Sequence, residues 1–474
     1  MYRPVFFLFF VIFWQTNIYS QETWTLERCI QEAIANNIQI QQTDLAVRRD
    51  EIGVTTARAG RFPSLNASTS FYESFGRQID PTTNSFNSQN FGNQSYNLNS
   101  GITLFNFNYI NNTIRQNVEN LKASKADKSQ MERDIALNVA QAYLVILVAK
   151  ENLEVSRKSL EQTNEQLTMT DKLIAAGSKN RNARLELLAQ QANNEAQIIT
   201  AENDVTIGFL NLKQLMNIAP DLSMDIAPPA IGLPMENPDE IDYQALISYS
   251  IKSQPKFEAL EYKLRSALLG EKIARAQGLP SIQAQASAGT SYSTLSQRIL
   301  STTLERQQIP GVLLNDEPVS LSFLNPTVTT GKNPYFNQLN QNLGFGLGVG
   351  LSIPIYNRNQ VKASVQNARL NTENVRLQES QAKQQLLSDI LRALTDAQAA
   401  RRNLDAANKN YDALNGAYND TQKRFEIGAA NTFELVSAKN NLDNAHRNTI
   451  IRKYDYIFKM KVLDYYAGRQ IILE

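Results

Sequence analysis

Cysteine and histidine are nearly absent: the 474 residues hold one of each, Cys29 and His446. A lone cysteine forms no intramolecular disulfide, and one Cys with one His is too few for a zinc site of the usual kind. Metal and thiol chemistry are therefore not expected, and no cofactor is implied. No nucleophile elbow, P-loop or metal-spaced cluster occurs either, so the chain is not expected to be an enzyme. Charge of one sign is lacking as well, with 47 Lys+Arg against 46 Asp+Glu, which argues against a nucleic-acid partner. After Gln21 no window of eighteen residues is continuously apolar. If the chain enters a membrane beyond that point, it must do so as a closed β-barrel, because lipid offers no partner to unpaired backbone groups.

What is present begins with Arg3 and an apolar run from Val5 to Trp14, followed by polar residues to Ser20. This reads as a secretory signal peptide over 1–20, the alternative being a buried helix. Proline placement then divides the rest. None of the 15 prolines falls in 82–219 or 355–474, whereas Pro220, Pro228, Pro229, Pro234 and Pro238 crowd a linker at 220–240. The two proline-free stretches are read as long helices, each with a sharp break at a glycine, Gly177 and Gly428. Apolar and small residues confirm the period: Val139, Ala142, Ile146, Ala149, Leu153, Ser156, Leu160, Thr163 and Leu167 form one seam. Ile390, Ala393, Ala397, Ala400, Leu404, Ala407, Tyr411, Leu414 and Tyr418 form another. Both step by three and four, the spacing of a coiled-coil seam. The stretch 107–176 alone would reach about 100 Å as a helix.

Elsewhere the period falls to two. Leu343, Phe345, Leu347, Val349, Leu351 and Ile353 alternate with Asn342, Gly344, Gly346, Gly348, Gly350 and Ser352, the lipid-out, lumen-in pattern of a transmembrane β-strand. Weaker alternation marks three further strands, giving four at about 63–72, 97–106, 280–289 and 342–353. Their connections, about 73–96 and 293–341, read as long polar loops. Taken alone, each hairpin also fits a small soluble sheet. Ala57-Arg58-Ala59 with Pro63-Ser64 recurs as Ala274-Arg275-Ala276 with Pro280-Ser281 at an offset of 217, so the chain is read as a tandem duplication with repeats at 21–219 and 241–474. Four strands cannot close a useful barrel, and open edges are not tolerated in lipid, so strands must be pooled between copies.

The order of these pieces, with Leu26–Asn37, Phe75-Gly76-Arg77, Ile79–Asn84 and Leu351–Asn357, resembles the TolC outer-membrane efflux protein family over 22–468. The resemblance implies a mixed α and β membrane fold: a homotrimer whose pooled strands make one outer-membrane barrel continuous with a long α-helical periplasmic tunnel. It further implies a passive channel of a tripartite export system, carrying small molecules such as drugs. The partners implied are a periplasmic adaptor, through it an inner-membrane pump, and outer-membrane lipid. By position, the turns that would meet the adaptor are Lys172–Lys179 and Lys423–Asn431, with Leu173, Gly177, Phe425, Ile427 and Gly428 as docking candidates. Glu434, and Glu186 as its counterpart in the first repeat, are the gate or selectivity candidates; the next family acid is matched by Ser437. A type I protein or peptide secretion conduit shares this architecture, and a periplasmic coiled-coil scaffold without a pore is the alternative of another class. His446 is expected as a solvated helix residue, and Asp239-Glu240 as helix-start charge.

Overall fold

Capping and strand chemistry divide the chain as follows in the computed structural model, which describes residues 23–79, 84–88, 90–227, 236–314, 317–469 and 471. The expected signal peptide lies outside these residues, as do Pro228, Pro229 and Pro234 of the linker. A short strand β1 (Thr23–Trp24) leads to Thr25, whose hydroxyl accepts from the Arg28 amide at 3.3 Å and starts α1 (Leu26–Asn36). Asn37 interrupts the helix: its side-chain oxygen accepts from the Gln39 amide at 2.8 Å, and the chain restarts as α2 (Ile38–Ala59). Then come β2 (Ser64–Ser74), β3 (Phe91–Phe105), α3 (Tyr109–Ala175), α4 (Arg181–Met216) and β4 (Asp225–Ile226).

The second half opens with α5 (Tyr243–Ser253) and α6 (Pro255–Ala276), separated at Gln254 because the residue before a proline avoids helical geometry. It continues with β5 (Ser281–Ser293), β6 (Gln297–Ile309), β7 (Leu321–Lys332), α7 (Tyr335–Gln341) and β8 (Gly344–Ser352), and ends in α8 (Gln360–Glu426) and α9 (Thr432–Tyr466). Helices α3 and α8 are 67 residues each, about 100 Å of axial rise. The four expected strands are all present.

Packing divides the chain into two units. One comprises residues up to Glu51, Glu119–Arg265 and Glu373 onward; the other comprises Ile52–Val118 and Ser266–Thr372. In the first unit the expected seams are buried or half-buried along their lengths. One core joins Ile135, Val139, Tyr143 and Ile146 to Leu212, Met216, Cys29 and Ile457. A second joins Ile390, Ala393, Ala397 and Leu404 to Tyr456, Met460 and Leu463. The linker is tied down here as well, since β1 and β4 pair in parallel, Thr23 with Asp225. Cys29 is fully buried, and burial pushes its thiol up to about 12, which leaves it unreactive.

The second unit is built on one antiparallel sheet in the order β8-β5-β3-β2. The stretch 293–341, expected as a polar loop, instead holds a second antiparallel pair, β6 with β7, and the short helix α7. The prolines that suggested a loop are accommodated. Pro310 follows β6 just before Gly311, which adopts φ +83°; Pro326 sits on β7, and Pro334 immediately precedes α7. Strand β3 likewise begins at Phe91 rather than near 97.

Candidate functional site

Both helical turns are built the same way. Gly177 has φ +75° and Gly428 φ +80°, a left-handed geometry that only glycine takes cheaply. The Ser178 amide donates to the Leu173 carbonyl at 2.9 Å and the Gly177 amide to Ile174 at 3.0 Å; the Ala429 amide donates to Arg424 at 2.7 Å and the Gly428 amide to Phe425 at 3.1 Å. These are paired Schellman closures, which satisfy the last carbonyls of α3 and α8. The next helices are then started by asparagine: Asn180 accepts from the Ala183 amide at 3.1 Å, and Asn431 from the Glu434 amide at 2.8 Å.

The two turns touch. The Lys179 ammonium lies 3.9 Å from the centroid of the Phe425 ring and donates to the Ala430 carbonyl at 3.3 Å. Phe425, named above for docking, is 2% exposed and supports the turn from inside, whereas Ile427 is 80% exposed at the tip. Phe433, which the sequence reading passed over, is also largely exposed. Leu173 is half-buried. Glu186 is exposed, and Glu434 stands 3.7 Å from the Arg424 guanidinium. Among the described residues no hydrogen bond or ion pair joins Glu186 to Glu434.

Away from the tips, a polar layer crosses the hydrophobic seams. The Ser159 hydroxyl on α3 donates to Asp443 on α9 at 2.7 Å, and Asp443 also accepts from Lys439. Asn194 on α4 donates to Thr163 at 2.8 Å, and Gln190 donates to Asn194 and to Asn440, both at 2.9 Å. Lys439 and Asp443 are both buried, although i,i+4 charges on a helix ordinarily read as a surface pair. Beside them opens a cleft of about 400 Å³ lined by Gln166, Tyr411, Tyr418 and His446. His446 is half-buried against Tyr411, with ring centroids 5.1 Å apart, rather than solvated; desolvation holds its pKa below the ordinary value, while Asp443 pulls the other way.

The sheet carries a second surface. Register places Phe345, Ala288, Leu98 and Ala67 in one row, Leu347, Ala286, Ser100 and Leu65 in the next, and Val349, Ala284 and Ile102 in a third. All lie on the same face, since paired residues point the same way. The opposite face reads Gly346, Ser287, Asn99 and Asn66, then Gly348, Gln285, Gly101 and Ser64. A Cβ at Gly346 would meet Ser287 Oγ at 2.9 Å, so glycine leaves room for the polar side chains of β5. Leu347 is 91% exposed, Phe345 79% and Val349 71%. An apolar face of that extent cannot be left to water.

Aromatic groups mark both ends of the face. At one end the Tyr335 and Tyr96 hydroxyls are 2.7 Å apart, the Tyr335 and Tyr292 rings meet at a tilt of 55° with centroids 4.8 Å apart, and Phe336 is exposed. At the other, Phe105 and Phe107 meet edge to face at 4.8 Å, with Tyr356 exposed. From Phe345 to Ile353 the apolar residues span about 27 Å of strand, close to the height of a membrane barrel's lipid-facing band. Strands β8 and β2 are the two edges of the sheet.

The sequence profile of the family described as "Outer membrane efflux protein" matches residues 29–217 and 246–468. Among relatives, the chain is 24% identical over 278 residues to the probable outer membrane lipoprotein SilC of Salmonella typhimurium, covering 57% of this chain and 56% of that protein. It is 24% identical over 294 residues to the cation efflux system protein CusC of Escherichia coli, covering 60% and 58%. The chain thus spans little more than half the length of these curated relatives. Among solved structures it resembles CusC with a TM-score of 0.72 at 17% identity over 96% of both chains. It resembles the outer membrane protein VceC of Vibrio cholerae with a TM-score of 0.70 at 16% identity, covering 94% of this chain and 96% of that one. At such identities the structural likeness speaks for the fold alone.

Proposed function

The chain belongs to the outer membrane efflux protein family, and we propose that it is the passive outer-membrane exit duct of a tripartite export system. It resides in the outer membrane with a large periplasmic part. Three copies, each a tandem duplication, pool their four strands into one barrel; the long helices make the tunnel, and the turns at Gly177 and Gly428 meet a periplasmic adaptor joined to an inner-membrane pump. The cargo is small molecules, and the energy comes from the partner. The observation that carries this reading is the sheet: one exposed apolar face, one polar face and two free edges. A water-soluble scaffold would have to bury that face, and no packed layer covers it among the described residues. Single-particle imaging of the chain purified from membranes in detergent should give a threefold particle with a detergent belt. A water-soluble rod without a belt would refute the duct.

Two further results are expected. Glu434 is paired with Arg424 at 3.7 Å, and both side chains are about half exposed, so the pair contributes about 0–1 kcal/mol. Glu434→Ala should therefore leave folding intact while removing a ring of three carboxylates, which in a narrow pore selects ions by sign. Conductance should rise and cation preference weaken in planar bilayers; unchanged values would remove Glu434 from the gate. Gly428→Val should cost about 1–2 kcal/mol through its left-handed backbone and displace Ile427 at the tip. Export should fall while trimers still assemble, and normal export would count against docking at this turn.

A further inference from the structure

The ribbon formed by β6 and β7 is long, regular and uncovered. Its twelve register pairs run from Gln297–Lys332 to Ile309–Leu321. Every residue of β6 is exposed, and in β7 every residue except half-buried Gly331. A two-stranded ribbon by itself is only marginally stable in water and needs a covering layer.

The two faces of the ribbon differ. Thr302 with Val328, Leu304 with Pro326 and Arg306 with Leu324 share one face; Thr303 with Thr327, Glu305 with Asn325 and Gln307 with Phe323 share the other. Leu304 is 63% exposed, Leu324 57% and Val328 47%. Over Thr302–Leu304 and Leu324–Val328 the first face is the more apolar, whereas Arg306 and the Gln308–Ser322 pair follow toward the tip; on the other face the apolar residues Phe323, Ile309 and Leu321 are confined to the tip. Addition of a further strand at the β7 edge is opposed by Pro326, which has no N–H to donate.

The root of the ribbon is fixed. Gln338, 1% exposed, donates to the carbonyls of Ser293 at 3.1 Å and Asn333 at 2.8 Å and accepts from the Ser293 amide at 2.9 Å; the Asn333 amide donates to Ser296 at 3.0 Å. These bonds clamp the ribbon to the end of β5, away from the end where the helices begin. In a trimer the three roots then stand on one rim. A ring of twelve strands about 4.8 Å apart and tilted by about 40° is about 24 Å across. A strand of 13 residues reaches about 43 Å, more than the opening is wide.

Resting on the trimeric duct proposed above, we infer that the apolar faces of the three ribbons, one from each copy, pack against one another over the barrel mouth and cap it. The occupant of the Leu304, Leu324 and Val328 face is thus a second copy of the same ribbon, with Glu305, Thr303 and Asn325 turned to water. The cap makes the outer mouth a constriction separate from the helical tips.

The test uses the full chain in detergent and in vesicles. Leu304→Cys treated with a short bis-maleimide should give covalent dimers, while Glu305→Cys on the opposite face should not; buried Cys29 stays unreactive. L304D/L324D should leave the trimer intact and raise single-channel conductance severalfold. Equal linking from both positions, no linking of L304C in a particle that is threefold, or unchanged conductance of L304D/L324D would overturn the cap and leave the duct standing. Quenching of a fluorophore on L304C by lipid-borne spin labels would assign the face to lipid and likewise overturn it. A monomeric particle would overturn both readings.

Discussion

Leu347→Arg/Val349→Arg should abolish assembly in the membrane. Both residues lie mid-strand on the apolar face of β8, 91% and 71% exposed in the single chain. An arginine on the lipid face of a barrel near the bilayer midplane costs about 2–4 kcal/mol, so two cost each copy about 4–8 kcal/mol. That is comparable to the whole stability of an ordinary domain. The decisive control is one row away in register: Asn99→Arg sits on the opposite face, paired with Ser287 and Asn66. It should insert, assemble and shift ion selectivity toward anions, because lumen charges tune selectivity without meeting lipid. Membrane fractionation with trimer electrophoresis reads both variants. If the double arginine variant still assembles, or if Asn99→Arg fails in the same way, the assignment of faces is wrong.

The second large effect lies in the helical unit. Asp443→Ala removes the acceptor shared by Ser159 and Lys439 and leaves the Lys439 ammonium buried without its partner. Breaking a buried pair from one side costs about 3–5 kcal/mol, whereas replacing both members by apolar groups of similar size is often neutral. Lys439→Met/Asp443→Leu should therefore recover most of the stability that Asp443→Ala loses. Urea denaturation followed by helical circular dichroism measures the difference. A loss below about 1 kcal/mol for Asp443→Ala, the value expected of an exposed pair, would place the pair in water. Recovery of stability by the double variant with altered export would show that the layer sets helix register rather than strength, the best-attested use of buried polar groups in coiled coils.

Much of this surface was legible before any contact was known. The alternation from Leu343 to Ile353 distinguished an apolar from a small or polar face of β8, because successive side chains of a strand point to opposite faces. Likewise the missing prolines and the isolated Gly177 and Gly428 located both long helices and their turns. The ribbon was not legible. Ile299, Leu300, Leu304 and Ile309 follow no period, since both faces of β6 are exposed within one chain and neither has to be uniformly apolar. Prolines at 310, 318, 326 and 334 then pointed to loop, although an edge strand tolerates Pro326.

The candidate site divides the same way. Glycine at the turns is a local matter, decided by the φ angle within a few residues, so position in the sequence was enough. That Phe425 lies inside rather than at the tip depends on its packing with Tyr418, Leu435 and Leu442 and on Lys179, which approaches from the other helical hairpin. Lys439 and Asp443 have the i,i+4 spacing of a surface pair, but Asp443 is held inside by Ser159, 284 residues away. The sequence by itself determined which face of β8 is apolar and where the long helices α3 and α8 stop, because those properties repeat within a few residues along one chain. Which polar groups are taken inside, and which side chain reaches the tip, only the tertiary structure decided, because desolvation depends on neighbours brought together from distant parts of the chain.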